Sequence, residues 1–552
     1  MSTMHVETTA SVWTISRRWS LVALVAAMAL VWCSPFDHPL YPPDEGRYGT
    51  VAATMAETGN WIVPMLNDRP HLTKPPLTYW LQGLGILVFG RSEEAVRLPS
   101  LVCTSAVILT IFLAMNAIRG RVAATCAVLL YAIMPEAMIV GRLGSTDAIL
   151  NLWWTLSLVC GYFAVTNGRA RWALGFWIAI GLAAFTKGPA AVGPVAIIVA
   201  WRFLAGDLRS LLSLRPWWGI PLSLAPSAAW ALAVVMHEPA LWQTWWRESM
   251  GRVTGELGKR DVWWYYIPIF LLGMFPASAM MTLPWFNMTW REAWRRVRDG
   301  SFEAMCVMAV VMPLVGFSVS SGKLPTYLLP VAAPLAMSVG AMLAARWVVP
   351  AGAAEGKPPD VRITLLACCA LAAIVFPIAA IVSRSEDAVR AMSFVFVIPL
   401  VGAAWLALRW HDPVRRRRAL VVAWLAFAVT WGVAFASEDN VLEEQSPRRL
   451  VAAIDRVAGD DGEVFVVARP NATWHFYRKG AVRDLGNELE PEEIRLALRT
   501  AKGGIFGSAE WDAVKRTRPE LVEMLEPVEE ARGFFNRDYV ICRVRQNASS
   551  HS

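Results

Sequence analysis

Acidic and basic side chains that could bind a charged substrate recur in the hydrophilic segments of an otherwise apolar chain. The segment 34–97 contains the acids Asp44 and Glu45 and the cations Arg47 and Lys74. Lys and Arg neutralise phosphate, and Arg does so through two parallel hydrogen bonds. Carboxylates opposite such cations could stabilise positive charge that develops during a reaction. The combination therefore favours chemistry at a phosphate-linked group.

Three shorter segments add groups of the same kinds. Asp147 ends the run 141–147, Lys187 precedes a Gly-Pro pair, and Lys323 and Tyr327 lie in the run 321–327. Each residue alone has a plainer explanation. An acid at a helix start offsets the helix dipole, and Lys and Tyr commonly anchor a helix at the membrane surface. A site is favoured only if all of these segments meet on one side of the membrane.

The composition indicates the environment in which they would meet. Of the 552 residues, 56% are hydrophobic and only 17% are charged, whereas a soluble globule carries about 25% charged residues. Disordered, collagenous and disulfide-knot proteins are excluded, and a polytopic α-helical membrane protein is indicated. The excess of 52 basic over 44 acidic residues follows the loop pattern of membrane topology, so no nucleic acid partner is expected. The eight cysteines have neither metal nor disulfide spacing.

Apolar runs predict about thirteen transmembrane helices. The first, Leu21–Val31, follows two arginines without a cleavage site and is interpreted as an uncleaved span. The others lie near 98–118, 122–140, 147–166, 172–186, 189–204, 217–236, 263–285, 303–320, 326–345, 363–383, 393–408 and 419–436. The run Leu77–Phe89 is too short to cross a bilayer, which takes roughly 20 residues, so we expect it to be an interfacial helix.

The basic loops orient these spans. With thirteen spans, the short loops rich in Arg and Lys all share one side; they lie near 119–121, 169–171, 209–215, 291–298, 357–362 and 409–418. The positive-inside rule places that side in the cytoplasm, with the N-terminus inside and the C-terminus outside. The candidate acids and cations then share the outer face, where cations run against the charge bias. An anionic ligand is favoured, such as a phosphate-headed lipid that enters from the bilayer.

Residues 437–552 are charged and mixed, and we expect them to form a soluble α/β domain outside the membrane, after a transmembrane part at 1–436. Ile454 and Val457 fall on one helical face, and 492–500 has a helical pattern. Short strands are predicted at 463–468, 504–506 and 539–544. Roughly 115 residues can bury a core of their own.

Four motifs together resemble a known family. They are YPPDEGRY at 41–48, KPPLTYW at 74–80, SEEAVRLP at 92–99 and GKLPTYLLP at 322–330. The chain resembles the polyprenyl-phosphate-sugar-dependent GT-C glycosyltransferases, and most of all the 4-amino-4-deoxy-L-arabinose lipid A transferases, over nearly its whole length. The first two motifs are shared with protein O-mannosyltransferase relatives, whereas the last is typical of the lipid A enzymes. One departure is Gly49-Thr50, where those enzymes commonly have Ala-Glu.

The resemblance implies transfer of aminoarabinose from an undecaprenyl-phosphate donor to phosphate groups of lipid A. The resemblance also implies that the reaction takes place at the periplasmic face of the bacterial inner membrane. The modified lipid A would make the cell resistant to cationic peptides such as polymyxin. The enzyme is expected to be a monomer in the bilayer. In this scheme Lys74, Arg47 and Arg260 hold the carrier phosphate, and Asp44 and Asp147 face the sugar. The remaining expectations assign Glu45 to the cationic aminosugar, Lys323 and Tyr327 to the acceptor entrance, and Tyr48, Tyr79 and Lys187 to substrate binding.

Other readings stay open. The scattered histidines lack ligand spacing, so no metal site is predicted, although a divalent cation held by Asp44 or by the carrier phosphate remains an alternative cofactor. A second enzymatic function is protein O-mannosyltransferase-like transfer of a sugar to periplasmic proteins. A third is transport of a lipid-linked sugar. A transporter should show paired repeats with broken helices at the midplane, and the sequence has no internal repeat.

Overall fold

The computed structural model describes most of the chain in separate stretches. These are residues 15–33, 38–41, 43–67, 69–239, 243–247, 262–286, 290–320, 322–348, 421–422, 424–429, 431, 447–468, 473–478, 482–486, 491–533 and 537–545.

Helices dominate the first part of the chain, because in lipid every backbone N–H and C=O must find its partner within the protein. They are α1 (Arg17–Val31), α2 (Asp44–Thr58), α3 (Leu77–Phe89), α4 (Glu93–Tyr131), α5 (Pro135–Ile139), α6 (Thr146–Asn167), α7 (Ala170–Lys187), α8 (Val192–Leu204), α9 (Pro216–Val235), α10 (Tyr266–Gly273), α11 (Ala277–Phe286), α12 (Trp290–Arg298), α13 (Phe302–Val319) and α14 (Leu329–Val348). Two short strands, β1 (Met65–Leu66) and β2 (Arg69–Pro70), form a hairpin between α2 and α3.

Six helical stretches within the described residues are long and apolar enough to cross a membrane. They are Glu93–Tyr131, Thr146–Asn167, Ala170–Leu204, Pro216–Val235, Phe302–Val319 and Pro325–Ala345.

The longest of these stretches, α4, combines two predicted spans. Its 39 residues would measure about 58 Å at ~1.5 Å per residue, nearly twice the ~30 Å thickness of the hydrocarbon layer. The helix is broken at Gly120, which has a φ of 82°, a conformation that glycine adopts without a steric penalty. The break falls between Arg119 and Arg121, where the sequence predicts a basic loop.

Two predicted spans have different boundaries in the structure. The span predicted near 122–140 is helical only to Tyr131, because Pro135 starts the separate short helix α5. The span predicted near 263–285 is two helices, α10 and α11, on either side of residues 274–276. The predicted spans near 363–383 and 393–408, half of the one near 419–436, and the expected boundary at residue 437 lie outside the described residues.

The 13-residue helix α3 has two different faces. Tyr79 and Gln82 are buried on one side, and Gly85 lies so close to α4 that a Cβ there would be 2.6 Å from the carbonyl oxygen of Ala95. Large apolar side chains are exposed on the other face and at its end, namely Leu84, Leu87, Val88 and Phe89. This distribution fits the interfacial position predicted for α3.

The last part of the chain contains a five-stranded sheet. Its strands are β3 (Val464–Val467), β4 (Val482–Asp484), β5 (Gly503–Gly507), β6 (Leu525–Gly533) and β7 (Arg537–Val544), in the order β4-β3-β5-β7-β6. β3 pairs in parallel with β4 and β5, and β7 pairs antiparallel with β5 and β6. The helices of this part are α15 (Pro447–Ala458), α16 (Thr473–Tyr477), α17 (Pro491–Thr500), α18 (Ser508–Thr517) and α19 (Pro519–Glu523).

Alternation along β3 builds a core on each face of this sheet. Phe465 and Val467 join one buried cluster with residues of α17, α18 and α19. Val464 and Val466 join a second cluster with Leu450 of α15. The predicted strands at 463–468, 504–506 and 539–544 are therefore present, and β4 and β6 are two strands that the sequence analysis missed.

Candidate active site

Five segments that are far apart in sequence line one polar cavity, whose empty space of about 460 Å³ includes solvent at its open mouth. Its lining comprises Asp44, Arg47 and Tyr48 of α2, Thr73 and Lys74 before α3, Thr146 and Asp147 at the start of α6, Lys187 at the end of α7, and Leu324 and Tyr327 before α14. Seven of the residues predicted from the sequence thus share one cavity. They are Asp44, Arg47, Tyr48, Lys74, Asp147, Lys187 and Tyr327.

Helix α2 supplies three of these side chains from a single face. Pro43 precedes the helix and two acids occupy its first turn, an arrangement that favours helix initiation. Residues three and four apart on a helix are neighbours, so Arg47 and Tyr48 lie beside Asp44. Arg47 forms an ion pair with Asp44 through Nη2 and lies 5.4 Å from the centre of the Tyr48 ring. The Arg47 and Asp44 side chains remain 34% and 41% exposed, so the pair is open to a ligand.

A second ion pair joins two of the other segments. Ser145 caps α6 by accepting a hydrogen bond from the backbone N–H of Asp147, which orients this acid at the helix start. The Asp147 carboxylate accepts a hydrogen bond from Nζ of Lys187, and the two side chains are only 10% and 14% exposed. The same ammonium lies 4.4 Å from the centre of the Tyr327 ring, within range of a cation–π interaction.

Glu45 has a different position from the one predicted. Its carboxylate accepts hydrogen bonds from Nε and Nη2 of Arg97 at 2.9 and 2.8 Å, and both side chains are 2% exposed. It also accepts from the backbone N–H groups of Tyr41 at 2.7 Å and Gly144 at 2.6 Å. Burial opposes the charge of Glu45, but the charge of Arg97 and these hydrogen bonds outweigh it and hold the pKa of the carboxyl below its usual value. The expectation that Glu45 pairs with an aminosugar is therefore wrong, because its oxygens are already occupied.

Two other predicted residues, Tyr79 and Lys323, are not among those that line the cavity. Tyr79 is fully buried behind Tyr48, with 5.7 Å between their ring centres. Lys323 is buried and donates a hydrogen bond from Nζ to the carbonyl of Ser320, while its neighbour Leu324 reaches the cavity. Arg260 lies outside the described residues. Tyr79 and Lys323 thus support the cavity wall from behind.

The cavity carries an excess of positive charge. Its lining contains three cations and two carboxylates. Burial, followed by the charge of Asp44, raises the pKa of Tyr48, so its hydroxyl is neutral. Burial, followed by the charges of Arg47 and Lys74, lowers the pKa of the nearby His71 to about 4, so this imidazole is also neutral at pH 7. An anionic group is favoured beside Arg47 and Lys74.

Four residues of this region were not predicted from the sequence: Arg97, which pairs with the buried Glu45, and Thr73, Thr146 and Leu324, which line the cavity. Arg97 lies in the motif at 92–99, and a motif arginine near a glutamate could have indicated a buried pair. Among the described residues, no group of three or more His, Cys, Asp and Glu side chains is arranged to hold a metal ion.

The chain is similar in sequence to several known proteins. A family model described as dolichyl-phosphate-mannose-protein mannosyltransferase matches residues 73–233. The chain is 30% identical over 463 residues to the undecaprenyl phosphate-α-4-amino-4-deoxy-L-arabinose arabinosyl transferase of Pseudomonas aeruginosa (strain UCBPP-PA14), with 81% of each chain covered. It is 33% identical over 357 residues to arabinosyl transferase 2 of Pseudomonas fluorescens (strain Pf0-1), and this match covers 62% of the chain and 63% of that relative.

The fold is that of a solved membrane enzyme. ArnT from Cupriavidus metallidurans bound to undecaprenyl phosphate superimposes with a TM-score of 0.78 at 20% identity, over 96% of this chain and 98% of that one. This similarity and the six long apolar helices show a helical membrane fold of the GT-C type. Since the alignment with the P. aeruginosa enzyme reaches 30% identity over 81% of both chains, the chain belongs to the family of the undecaprenyl phosphate-α-4-amino-4-deoxy-L-arabinose arabinosyl transferases.

Proposed function

We propose that this protein transfers 4-amino-4-deoxy-L-arabinose from undecaprenyl phosphate to a phosphate group of lipid A. The observation that carries the proposal is the cavity itself, where Asp44 and Asp147 face Arg47, Lys74 and Lys187. A glycosyl transfer from a lipid phosphate needs both kinds of charge. Positive charge develops on the sugar ring while negative charge grows on the departing phosphate.

Arg47 and Lys74 would hold the phosphate of the donor. Within the described residues, Nε of Arg47 is buried and has no hydrogen-bond partner, although Nη2 is paired with Asp44. A buried donor without a partner is costly, and a phosphate oxygen would satisfy it. Arg260 stays the predicted third phosphate ligand.

Asp44 and Asp147 would stabilise the sugar. As the bond between the anomeric carbon and the carrier phosphate oxygen breaks, a bond to an oxygen of the acceptor forms, and undecaprenyl phosphate leaves. Each carboxylate beside the ring would contribute roughly 10²–10³ in rate, as preorganised electrostatic groups typically do. Lys187 and Tyr327 would hold Asp147 in place from the other side of the cavity.

The acceptor needs little further activation from the protein. A phosphate monoester has a second pKa of about 6 and is therefore largely ionised near neutral pH. The hydroxyl of a Ser or Thr acceptor would need a general base. The neutral His71 lies beside the cavity, but its ring hydrogen-bonds with the Thr73 hydroxyl at 3.0 Å. Phosphate is accordingly the favoured acceptor.

The proposed location is the inner membrane of a bacterium, with the cavity on the periplasmic face. The added aminosugar would reduce the negative charge of lipid A, and deletion of the gene should increase sensitivity to polymyxin. We propose that the protein acts as a monomer.

The test is to incubate the purified protein with radiolabelled undecaprenyl-phosphate aminoarabinose and a mixture of lipid A and periplasmic proteins. Label on lipid A supports the proposal, whereas label on protein supports the mannosyltransferase-like alternative. Lys74→Ala should lower the rate of labelling at least about 100-fold. Lys515→Ala, which removes an exposed lysine paired with Asp512, serves as the matched control and should be active. Absence of transfer by the unsubstituted protein would contradict the proposal.

A further inference from the structure

The short helix α16 of the α/β part packs directly on α2, the helix that carries Asp44. Gly46 lies at the contact: a Cβ there would overlap Oγ1 of Thr473 and lie 2.6 Å from its Cβ and 2.8 Å from its Cγ2. One turn further along, a Cβ at Gly49 would lie 3.3 Å from the ring of Phe476. Glycine at position 46 lets the two helices approach more closely than any side chain there would allow, whereas a Cβ at position 49 would require its neighbours to move by only a few tenths of an ångström.

Polar contacts also join residues 38–97 to the α/β part near this junction. The backbone N–H of Leu40, just before α2, donates a hydrogen bond to the hydroxyl of Tyr477 at 2.7 Å, across 437 residues of sequence. At the start of α4, Glu93 accepts a hydrogen bond from Nε of Arg448 at 2.7 Å. The guanidinium of Arg91 donates to the carbonyl of His475.

These contacts could affect the reaction because Gly46 lies in the same helical turn as two residues of the cavity. Gly46 stands between Asp44 and Arg47, both of which line the cavity. An α-helix moves as a rigid unit over one turn, so a displacement at Gly46 also displaces both side chains. A misplacement of about 1 Å from a change away from the chemistry can cost about 100-fold in rate.

We propose that the α/β part positions α2 for the transfer reaction, with Thr473, Phe476 and Tyr477 as positioning residues that act through Asp44 and Arg47. The activity used to test this inference is the proposed aminoarabinose transfer.

The experiment is a steric rescue in the full-length protein. Gly46→Ala should lower kcat/KM about 10- to 100-fold, because the new methyl group pushes α2 away from Thr473. Thr473→Gly removes all three atoms that the methyl group meets. The double variant should therefore recover at least about tenfold in kcat/KM over Gly46→Ala.

Two considerations separate a loss of activity caused by the contact with Thr473 from a general effect of replacing glycine with alanine. Gly316→Ala replaces a glycine within α13 that has no atom within 4 Å of the added Cβ, and it should retain activity. Alanine is a better helix former than glycine, so a purely local effect of Gly46→Ala would stabilise α2 rather than harm it. Inactivity of the unsubstituted protein would instead contradict the proposed function and leave no rate to compare.

Activity of Gly46→Ala within about twofold of the unsubstituted protein would overturn the inference, as would a double variant no faster than Gly46→Ala. If Gly46→Ala does not accumulate in the membrane, Tyr477→Phe provides the second test. This change removes the hydroxyl that accepts from Leu40 and also contacts Glu93, and it keeps the aromatic ring. It should lower kcat about three- to tenfold with little change in the donor KM. An unchanged kcat in Tyr477→Phe would then overturn the inference.

Discussion

Asp44 and Glu45 are adjacent acids on one helix, yet they belong to two different regions of the molecule. Glu45 and Arg97 form a buried pair, each 2% exposed, whose carboxylate also binds the backbone N–H groups of Tyr41 and Gly144. Asp44 and Arg47 form a pair that is more than one-third exposed and lines the cavity. A buried charge with all its hydrogen bonds made stabilises the fold, whereas a partly exposed charge can exchange its partner for a substrate.

The largest effect should follow from Glu45→Gln. This change leaves the buried guanidinium of Arg97 without its carboxylate, and breaking such a pair costs about 3–5 kcal/mol of folding free energy. Thermal unfolding in detergent should show a large loss of stability. The control Glu57→Gln removes a carboxylate that is 54% exposed and paired with Arg91, and it should cost at most about 1 kcal/mol. Equal losses of folding free energy in the two variants would contradict the view that the Glu45–Arg97 pair stabilises the fold more than an exposed pair does.

Asp44→Asn should reduce activity strongly and stability only slightly, the reverse of Glu45→Gln. The catalytic rate constant should fall roughly 10²–10³-fold, since the amide carries no charge to stabilise the sugar ring. Stability should change by less than about 1 kcal/mol, because exposed ion pairs contribute little. Steady-state transfer kinetics and thermal unfolding of the same preparation measure both quantities. If Asp44→Asn instead lowers the thermal stability strongly and leaves the transfer rate of the folded protein unchanged, Asp44 stabilises the fold and does not act on the sugar.

Lys187→Met tests an ion pair of intermediate burial, because the side chains of Asp147 and Lys187 are 10% and 14% exposed. The variant loses the ion pair with Asp147 and the contact with the Tyr327 ring, and we expect kcat/KM to fall about tenfold, or ~1.4 kcal/mol. Combined with Asp147→Asn, the losses should be non-additive by about 0.5–3 kcal/mol. Arg119→Met breaks an exposed pair with Glu303 and is the matched control. Strictly additive losses would show that the two residues act separately.

The smallest effect concerns two histidines, one in each region. Burial, followed by a neighbouring positive charge, lowers the pKa of His38 and of His71 to about 4. The unfolded chain therefore binds protons that the folded chain does not, and stability should fall as the pH decreases from about 6.5 towards 4. His71→Gln and His38→Gln should each reduce this acid-side slope of the melting temperature. An unchanged slope in both variants would assign the acid sensitivity to other groups.

Much of the cavity could be predicted because its residues occur in short motifs at the ends of apolar runs. The charge bias of the loops placed Asp44, Asp147 and Lys187 on one face of the membrane, and these residues meet in the structure. The error at Glu45 has a physical cause. Whether an acid faces a ligand or a buried arginine depends on the direction of its side chain and on the packing of α4, which loop position alone does not specify.

The fold was predictable to a similar extent. Periodicity found the apolar helices and three strands of the sheet, since each has a continuous buried pattern. It extended the helix near 122–140 past Tyr131, because hydropathy continues where Pro135 starts a new helix. β4 was missed because its three residues are only partly buried, and β6 because LEPVEEARG has no run of apolar residues.

The exposed apolar face of α3 links Lys74, the proposed phosphate ligand, to the surrounding lipid. Lys74 is separated from this helix only by Pro75 and Pro76, and two successive prolines make a stiff connection. Acyl chains of another length or packing should change how deeply Leu84, Leu87 and Phe89 insert into the bilayer. The ammonium group of Lys74 should then be displaced together with α3. Turnover measured in short-chain micelles and in native-thickness vesicles should consequently differ, even when every side chain in the protein is the same.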